Sequence, residues 1–159
     1  MYRENFDPVM AFFGRRCRDP QEVAELTSQT FVEAIRSAHT YRARGTVRAW
    51  LIAIARRVYA RHLESRTADA GLIDQLGAQL VLAQDEIEDL AARLDAQRHG
   101  QELLQRAGRL SDFEREAVEL VDLLDLTPKD AAQVLGVSAN TVRLRLFRAH
   151  KRLRKESQR

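Results

Sequence analysis

Residues 127–155 read TPKDAAQVLGVSANTVRLRLFRAHKRLRK, and this stretch decides the fold of the C-terminal part. Thr127-Pro128 with Asp130 is a helix start: a capping hydroxyl, then proline in the first helical position, where its missing N–H costs nothing. Gly136 ends that short helix and Ser138 caps a longer one that runs to about Leu153. Two helices joined by a tight turn at Leu135-Gly136-Val137 make a helix-turn-helix. Ala132, Gly136 and Val142 stand where that motif needs a small contact residue, a turn glycine and a core anchor. On the second helix Val142, Leu146, Ala149 and Leu153 recur at i, i+4, i+7 and i+11, which puts them on one buried stripe. The opposite arc then carries Asn140, Arg143, Leu144, Phe147, Arg148 and Lys151, with Thr141 and Arg152 at its margin.

Charge says what that arc faces. Residues 138–159 hold eight Lys/Arg against Glu156 alone, a density suited to a polyphosphate partner. A helix lying in the major groove meets base edges near its N-terminus and phosphates further along. Asn140, Thr141, Arg143 and Arg145 are therefore expected at bases or adjacent phosphates, and Arg148, Lys151 and Arg152 on the backbone. In the competing reading these cations only solvate an exposed helix and favour its C-terminal dipole end, which leaves the agreement of cap, turn and charge unexplained. Leu144 and Phe147 are out of place on a polar arc. Packing against a partner protein or against the rest of the chain competes there with contact to thymine methyls.

Outward from this motif the pattern stays helical. Ser111 and Glu114 form a capping-box pattern for a helix ending near Asp125. Leu80 to Leu104 is acidic and amphipathic, with Ile87, Leu90, Ala91 and Leu94 on one side, and the apolar pattern weakens over residues 67–77. Nearer the N-terminus, Phe6, Val9, Met10 and Phe13 mark one face of a first helix, and Asp19-Pro20 starts a second that runs to about Ser37. Trp50, Leu51, Ile54, Ala55 and Val58 give a third its buried side. Between the last two lies a basic loop, YRARGT, from Tyr41 to Thr46. The chain is thus expected to be all-α: two small helical domains, 1–66 and 110–159, joined by a partly helical linker, 67–109. Charge follows the same division, with 12 Lys/Arg against 7 Asp/Glu in 1–66, 4 against 8 in 67–109 and 10 against 8 in 110–159.

Composition removes several function classes. One cysteine, Cys17, allows neither an internal disulfide nor a Cys-rich zinc site, which fits a reducing cytoplasm. No apolar run approaches the roughly 20 residues that cross a bilayer, and Met1 leads into charged residues, so a cytoplasmic protein without membrane insertion is expected. His39, His62, His99 and His150 lie far apart without ligand spacing, and neither a Gly-rich phosphate loop nor a paired-carboxylate site is present. No catalytic residue, metal or cofactor is expected.

The order of these segments resembles the ECF (extracytoplasmic-function) subfamily of bacterial RNA polymerase sigma factors over nearly the full length. The C-terminal block is similar to the family's region 4: Leu110 and Arg115 in LSDFERE, then LTPKDAAQVLGVS, then NTVRLRLFRAHKRL with its T-V-x-x-R-L-x-R-A pattern. The N-terminal block is similar to region 2, through AELTSQTFVEA at 24–34 and VRAWLIAIARRVYARHL at 47–63. The resemblance implies that region 4 reads the upstream −35 promoter element as duplex, and that region 2 binds the −10 element and helps hold it melted. It also implies docking on core RNA polymerase, on the β′ clamp helices and the β subunit, and an anti-sigma partner that holds the factor inactive.

Residues can be set against those tasks. Glu22, Glu25, Gln29 and Glu33 form one acidic stripe opposite Val23, Phe31 and Ala34, on the helix that in the family meets the clamp helices. An open strand needs cations and a pocket for an unstacked base. Tyr41, Arg42, Arg44, Thr46 and Arg48 in and beside the loop, with Arg56, Arg57 and Arg61 on the third helix, fit that need, and Ala53 and Ala60 on the same side allow close approach. Trp50 is placed in the core by its periodicity with Ile54 and Val58. The chain departs from the family pattern at Glu25, Ser28, Val47, Arg57, Arg61, Asn140 and Leu144, so the resemblance does not carry a promoter preference. The alternatives are another helix-turn-helix regulator, such as a LuxR-type protein, whose N-terminal part would carry strands or an acidic pocket, and a helical protein-binding module without DNA function.

Overall fold

A computed structural model describes residues 2–42, 44–68, 88–95 and 110–158. Among them the secondary structure is helical throughout, as the periodicity predicts. The chain divides into two compact units, Met1–Arg98 and His99–Arg159. Most of the segment expected to be a linker, including residues 69–77 of the weakened pattern, lies outside the described residues. Residues 88–95, helix α4, are helical, with Leu94 buried and Leu90 and Ala91 half-buried. No helix among the described residues is long and apolar enough to cross a membrane, and none of them groups three His, Cys, Asp or Glu side chains to hold a metal.

The first unit is built on α1 (Tyr2–Gly14), α2 (Pro20–Arg36) and α3 (Val47–Ala68), each packed on the other two. α2 starts as the sequence predicts: Asp19 accepts a hydrogen bond from the Gln21 N–H at 3.0 Å, and Pro20 occupies the first turn. It ends at Arg36, in a 3-10 turn over Ala38–Thr40. Thr27 and Thr30 are buried, yet their hydroxyls donate to the Val23 and Leu26 carbonyls at 2.7 and 2.8 Å, so neither is left unsatisfied. α1 departs from the one-faced expectation. Packed against both α2 and α3, it buries Val9, Met10, Ala11, Phe12 and Phe13 in succession. Phe12 packs edge-on against Phe13 and Tyr59, and the Arg16 guanidinium lies 3.6 Å over its ring. Burial pushes the Tyr59 phenol above its ordinary pKa, and the neighbouring Cys17 adds in the same direction.

The second unit opens with α5 (Asp112–Val118), whose capping box is complete: Glu114 N–H donates to Ser111 Oγ, and the Ser111 N–H donates to the Glu114 carboxylate, both at 3.2 Å. The helix continues as a π-helical stretch, Glu119–Leu123, closed by Leu124 N–H donating to the Glu119 carbonyl at 2.9 Å. Asp125 then takes the left-handed conformation, φ 57°, and the Leu126 N–H reaches back to the Leu120 carbonyl.

α6 (Pro128–Leu135) is capped by Thr127 and stopped by Gly136 at φ 67°; Ser138 caps α7 (Ala139–Ser157) by accepting from the Thr141 N–H at 3.1 Å. α7 packs on both α5 and α6 through Val142, Leu146 and Ala149, all buried, with Leu153 half-buried below them. Gly136 is needed for its backbone alone, because a Cβ built there meets nothing within 4 Å. Gly136→Ala is therefore expected to lower the stability of this unit by about 1–2 kcal/mol, the left-handed penalty of an L-residue, and Gly136→Asn by less. Urea unfolding of the two variants checks this.

Candidate nucleic-acid interface

The outward arc of α7 is as the periodicity predicts. Asn140, Arg143, Leu144, Phe147, Arg148 and Lys151 are exposed. Asn140, Leu144, Phe147 and Lys151, at i, i+4, i+7 and i+11, run along its outermost line, with Arg143 on one flank and Arg148 on the other. Arg143 Nη1 donates to Asn140 Oδ1 at 3.2 Å. Arg148 and Lys151 have no partner among the described residues.

Three other expected residues of this helix are engaged within the unit. Thr141 shares a 2.8 Å hydroxyl contact with Ser138 and belongs to the helix cap. Arg145 lies 4.8 Å over the Phe113 ring, beside α5 and off the outward arc. Arg152 donates to Glu114 Oε2 at 3.0 Å, tying α7 to the buried capping-box carboxylate. On the opposite flank His150 Nε2 stands 2.6 Å from Asp122 Oδ2 in the π-helical stretch. Arg145, His150 and Arg152 thus brace α7 within the unit, while Arg148 and Lys151 on its outward arc have no such tie among the described residues. Spacing along one helix cannot show this division, because the bracing groups are 28 to 38 positions away in sequence.

In the first unit the basic loop and the exposed side of α3 adjoin. Arg42, Arg44 and Thr46 are exposed and Tyr41 is half-buried. Tyr41 donates its hydroxyl to the Gly45 carbonyl at 2.9 Å, and Thr46 Oγ1 accepts from the Ala49 N–H at 3.2 Å to start α3. Arg48 and Arg56 are half-buried, Arg57 and Arg61 exposed, Ala53 half-buried and Ala60 exposed. Trp50 is not in the core. It is half-buried at the first turn of α3, its ring 5.2 Å from that of Tyr41, while Leu51, Ile52, Ile54, Ala55 and Val58 fill the interior. An aromatic pair thus borders the loop that carries Arg42 and Arg44.

The acidic stripe on α2 has Gln29 exposed and Glu22, Glu25 and Glu33 half-buried, opposite buried Val23, Phe31 and Ala34. Two of its members are bound to α3. Glu22 pairs with His62 and, at 3.5 Å, with Arg66, and Glu33 pairs with Arg61. Arg61, expected to face an open strand, is thereby joined to the stripe expected to dock.

Two family models match separate parts of the chain. The sigma-70 region 2 family model matches residues 1–68 and the sigma-70 region 4 model residues 100–153. The chain is 35% identical over 134 residues to the ECF RNA polymerase sigma factor SigC of Mycobacterium tuberculosis, a match that covers 79% of this chain and 64% of the relative. With the ECF RNA polymerase sigma factor SigK of Mycobacterium ulcerans it shares 30% identity, over 92% of this chain and 78% of the relative. The structure of the sigma factor RpoE with the anti-sigma factor NepR from Bartonella quintana resembles it in fold, with a TM-score of 0.64 at 22% identity, over 97% of this chain and 92% of that one.

Proposed function

The chain belongs to the ECF family of RNA polymerase sigma factors, and on that premise we propose that it binds core RNA polymerase in the cytoplasm and directs promoter-specific initiation. The second unit reads the −35 element through Asn140, Arg143, Arg148 and Lys151. Thr141, Arg145 and Arg152 hold the helix while lying close enough to its margin to meet phosphates. The first unit takes the −10 element through Tyr41, Arg42, Arg44, Thr46, Arg48, Arg56, Arg57 and Arg61, and docks on the β′ clamp helices through Glu22, Glu25, Gln29 and Glu33, with the β subunit as a further contact. The observation that carries the reading is the sorting of cations on α7: the braced ones face the unit, and Arg148 and Lys151 face outward with no partner among the described residues. A polyanion is the partner such a surface fits. An anti-sigma factor is proposed as a second protein partner, since the RpoE structure holds one. A LuxR-type regulator is disfavoured by the first unit, whose described residues are helical and show no strand.

Transcription in vitro tests the proposal. Core polymerase with the full chain is expected to initiate at specific sites in a promoter library where core alone does not. Absence of specific initiation, or of core binding, overturns it.

The Arg61–Glu33 pair adds a finer expectation. An exposed ion pair contributes about 0–1 kcal/mol, so Glu33→Gln leaves stability nearly unchanged and frees Arg61. Affinity for a single-stranded −10 oligonucleotide is expected to rise up to about fivefold, a limit that follows from the same energy, while binding to core falls. Fluorescence anisotropy with labelled oligonucleotide and with core reads the two effects separately.

A further inference from the structure

Four residues make the outermost line of α7, and two of them, Leu144 and Phe147, are large apolar side chains left 48% and 60% exposed. Single exposed leucines are ordinary on a protein surface. Here an apolar pair sits in the middle of a cationic arc, between Arg143 and Arg148 and above Lys151. Two other cations of the helix have internal partners, Arg145 with Phe113 and Arg152 with Glu114, but Arg148 and Lys151 beside the apolar pair have none among the described residues. An apolar centre with a free cationic rim matches a surface that is anionic at its edges and apolar at its floor.

The major groove of duplex DNA is such a surface. Phosphates form its walls, and the only apolar group on its floor is the 5-methyl of thymine. Asn140, one turn before Leu144 on the same line, narrows the choice of base. Its Oδ1 already accepts from Arg143 Nη1 at 3.2 Å, which holds the carboxamide in place and leaves its NH2 to donate. A donor beside an apolar contact is the complement of thymine, which presents the O4 acceptor next to its methyl.

We propose that Asn140 and Leu144 form a thymine-selecting pair in the −35 half of the promoter, Asn140 donating to O4 and Leu144 covering the 5-methyl, with Phe147 extending the apolar contact one turn further. This rests on the reading of α7 as the helix that enters duplex DNA.

Deoxyuridine separates the two. Duplexes are first selected from a random library with the full chain bound to core polymerase, and each thymine of the selected −35 site is then replaced singly by deoxyuridine, which keeps O4 and the base pair and lacks only the methyl. At one thymine or more, wild-type affinity falls about fourfold, the equivalent of withdrawing one methyl from apolar contact. In Leu144→Ala the difference between thymine and deoxyuridine at that position disappears, and in Asn140→Ala selection drifts from thymine to other bases there. Both positions are exposed, and circular dichroism confirms that the variants are folded. If the wild type binds selected duplexes but is indifferent to every thymine methyl, or if Leu144→Ala still discriminates, the thymine pair is wrong and the DNA-reading helix stands. If no duplex is selected at all, the reading of α7 fails and the pair with it.

Discussion

Replacing Arg143 and Arg148 together by alanine is expected to abolish specific duplex binding while leaving the protein folded. Both side chains are exposed, and among the described residues their one side-chain contact is Arg143 to Asn140, one turn away. Stability should therefore change by no more than about 0.5 kcal/mol. The loss in affinity has two parts. A fork of arginine on a base edge is worth about 1–3 kcal/mol, or about 5- to 150-fold. A phosphate contact contributes through counterion release, so its removal lowers the slope of log affinity against log salt by about 0.9. Arg143, near the N-terminus of α7, should show the first behaviour in its single variant, by relaxing sequence preference. Arg148, a turn and a half later, should show the second, weakening all sequences alike. Anisotropy titrations at several potassium chloride concentrations, on cognate and scrambled duplexes, separate them. Arg152→Ala makes the contrast, because its partner Glu114 is buried and an unpaired buried carboxylate is costly. That variant should lose stability first and affinity second. A helical module without DNA function predicts no loss of binding from Arg143 and Arg148 and is excluded by this result.

What the sequence shows and hides in this chain follows from the range of each interaction. Helix starts were legible because a cap is local: Asp19-Pro20, Ser111 with Glu114, Thr127-Pro128 and Ser138 each take their hydrogen bonds within three residues. The same is true of Gly136, whose positive φ is what a helix-ending glycine predicts. Asp125 adopts the same conformation without glycine, and the π-helical stretch before it has no compositional mark, so both escape a reading by residue type. Periodicity fixed the faces but not their depth. It places Trp50 in line with Ile54 and Val58, yet at the first turn of α3 the ring is at the border of the unit, where Tyr41 packs on it. It assigns α1 one apolar face and leaves out Phe12, because a helix packed against two others buries a wider arc than one stripe. The candidate site was legible as a set of exposed cations. Which of them are already bound, Arg61 to Glu33 and Arg152 to Glu114, depends on residues 28 and 38 positions apart, and only the fold brings those together.

Phe12 is the position where that hidden packing should have its largest consequence. Its side chain is 1% exposed, in edge-on contact with Phe13 and Tyr59 and under the Arg16 guanidinium. Truncation to alanine removes the ring and leaves a cavity that α1, held on two sides, cannot collapse, for a cost of about 3–5 kcal/mol. Arg16 keeps its 2.8 Å hydrogen bond to the Phe12 carbonyl, which is backbone, and loses the cation–π contact, about 0.5–1 kcal/mol of the same total. Against a domain stability of about 5–15 kcal/mol, this leaves the first unit marginal, and its melting temperature should fall on the order of 20 °C. The second unit has its own core, built on Leu120, Val142 and Ala149, and its transition should stay in place. Differential scanning calorimetry then shows one transition moving past another, and duplex binding through α7 survives at a temperature where single-strand binding and core docking through α2 and α3 are lost. Phe12→Leu, which refills most of the space, should restore the greater part of the shift. A common shift of both transitions would instead mean that the two cores unfold as one, and the separate assignment of upstream and downstream promoter elements to them would lose its thermodynamic basis.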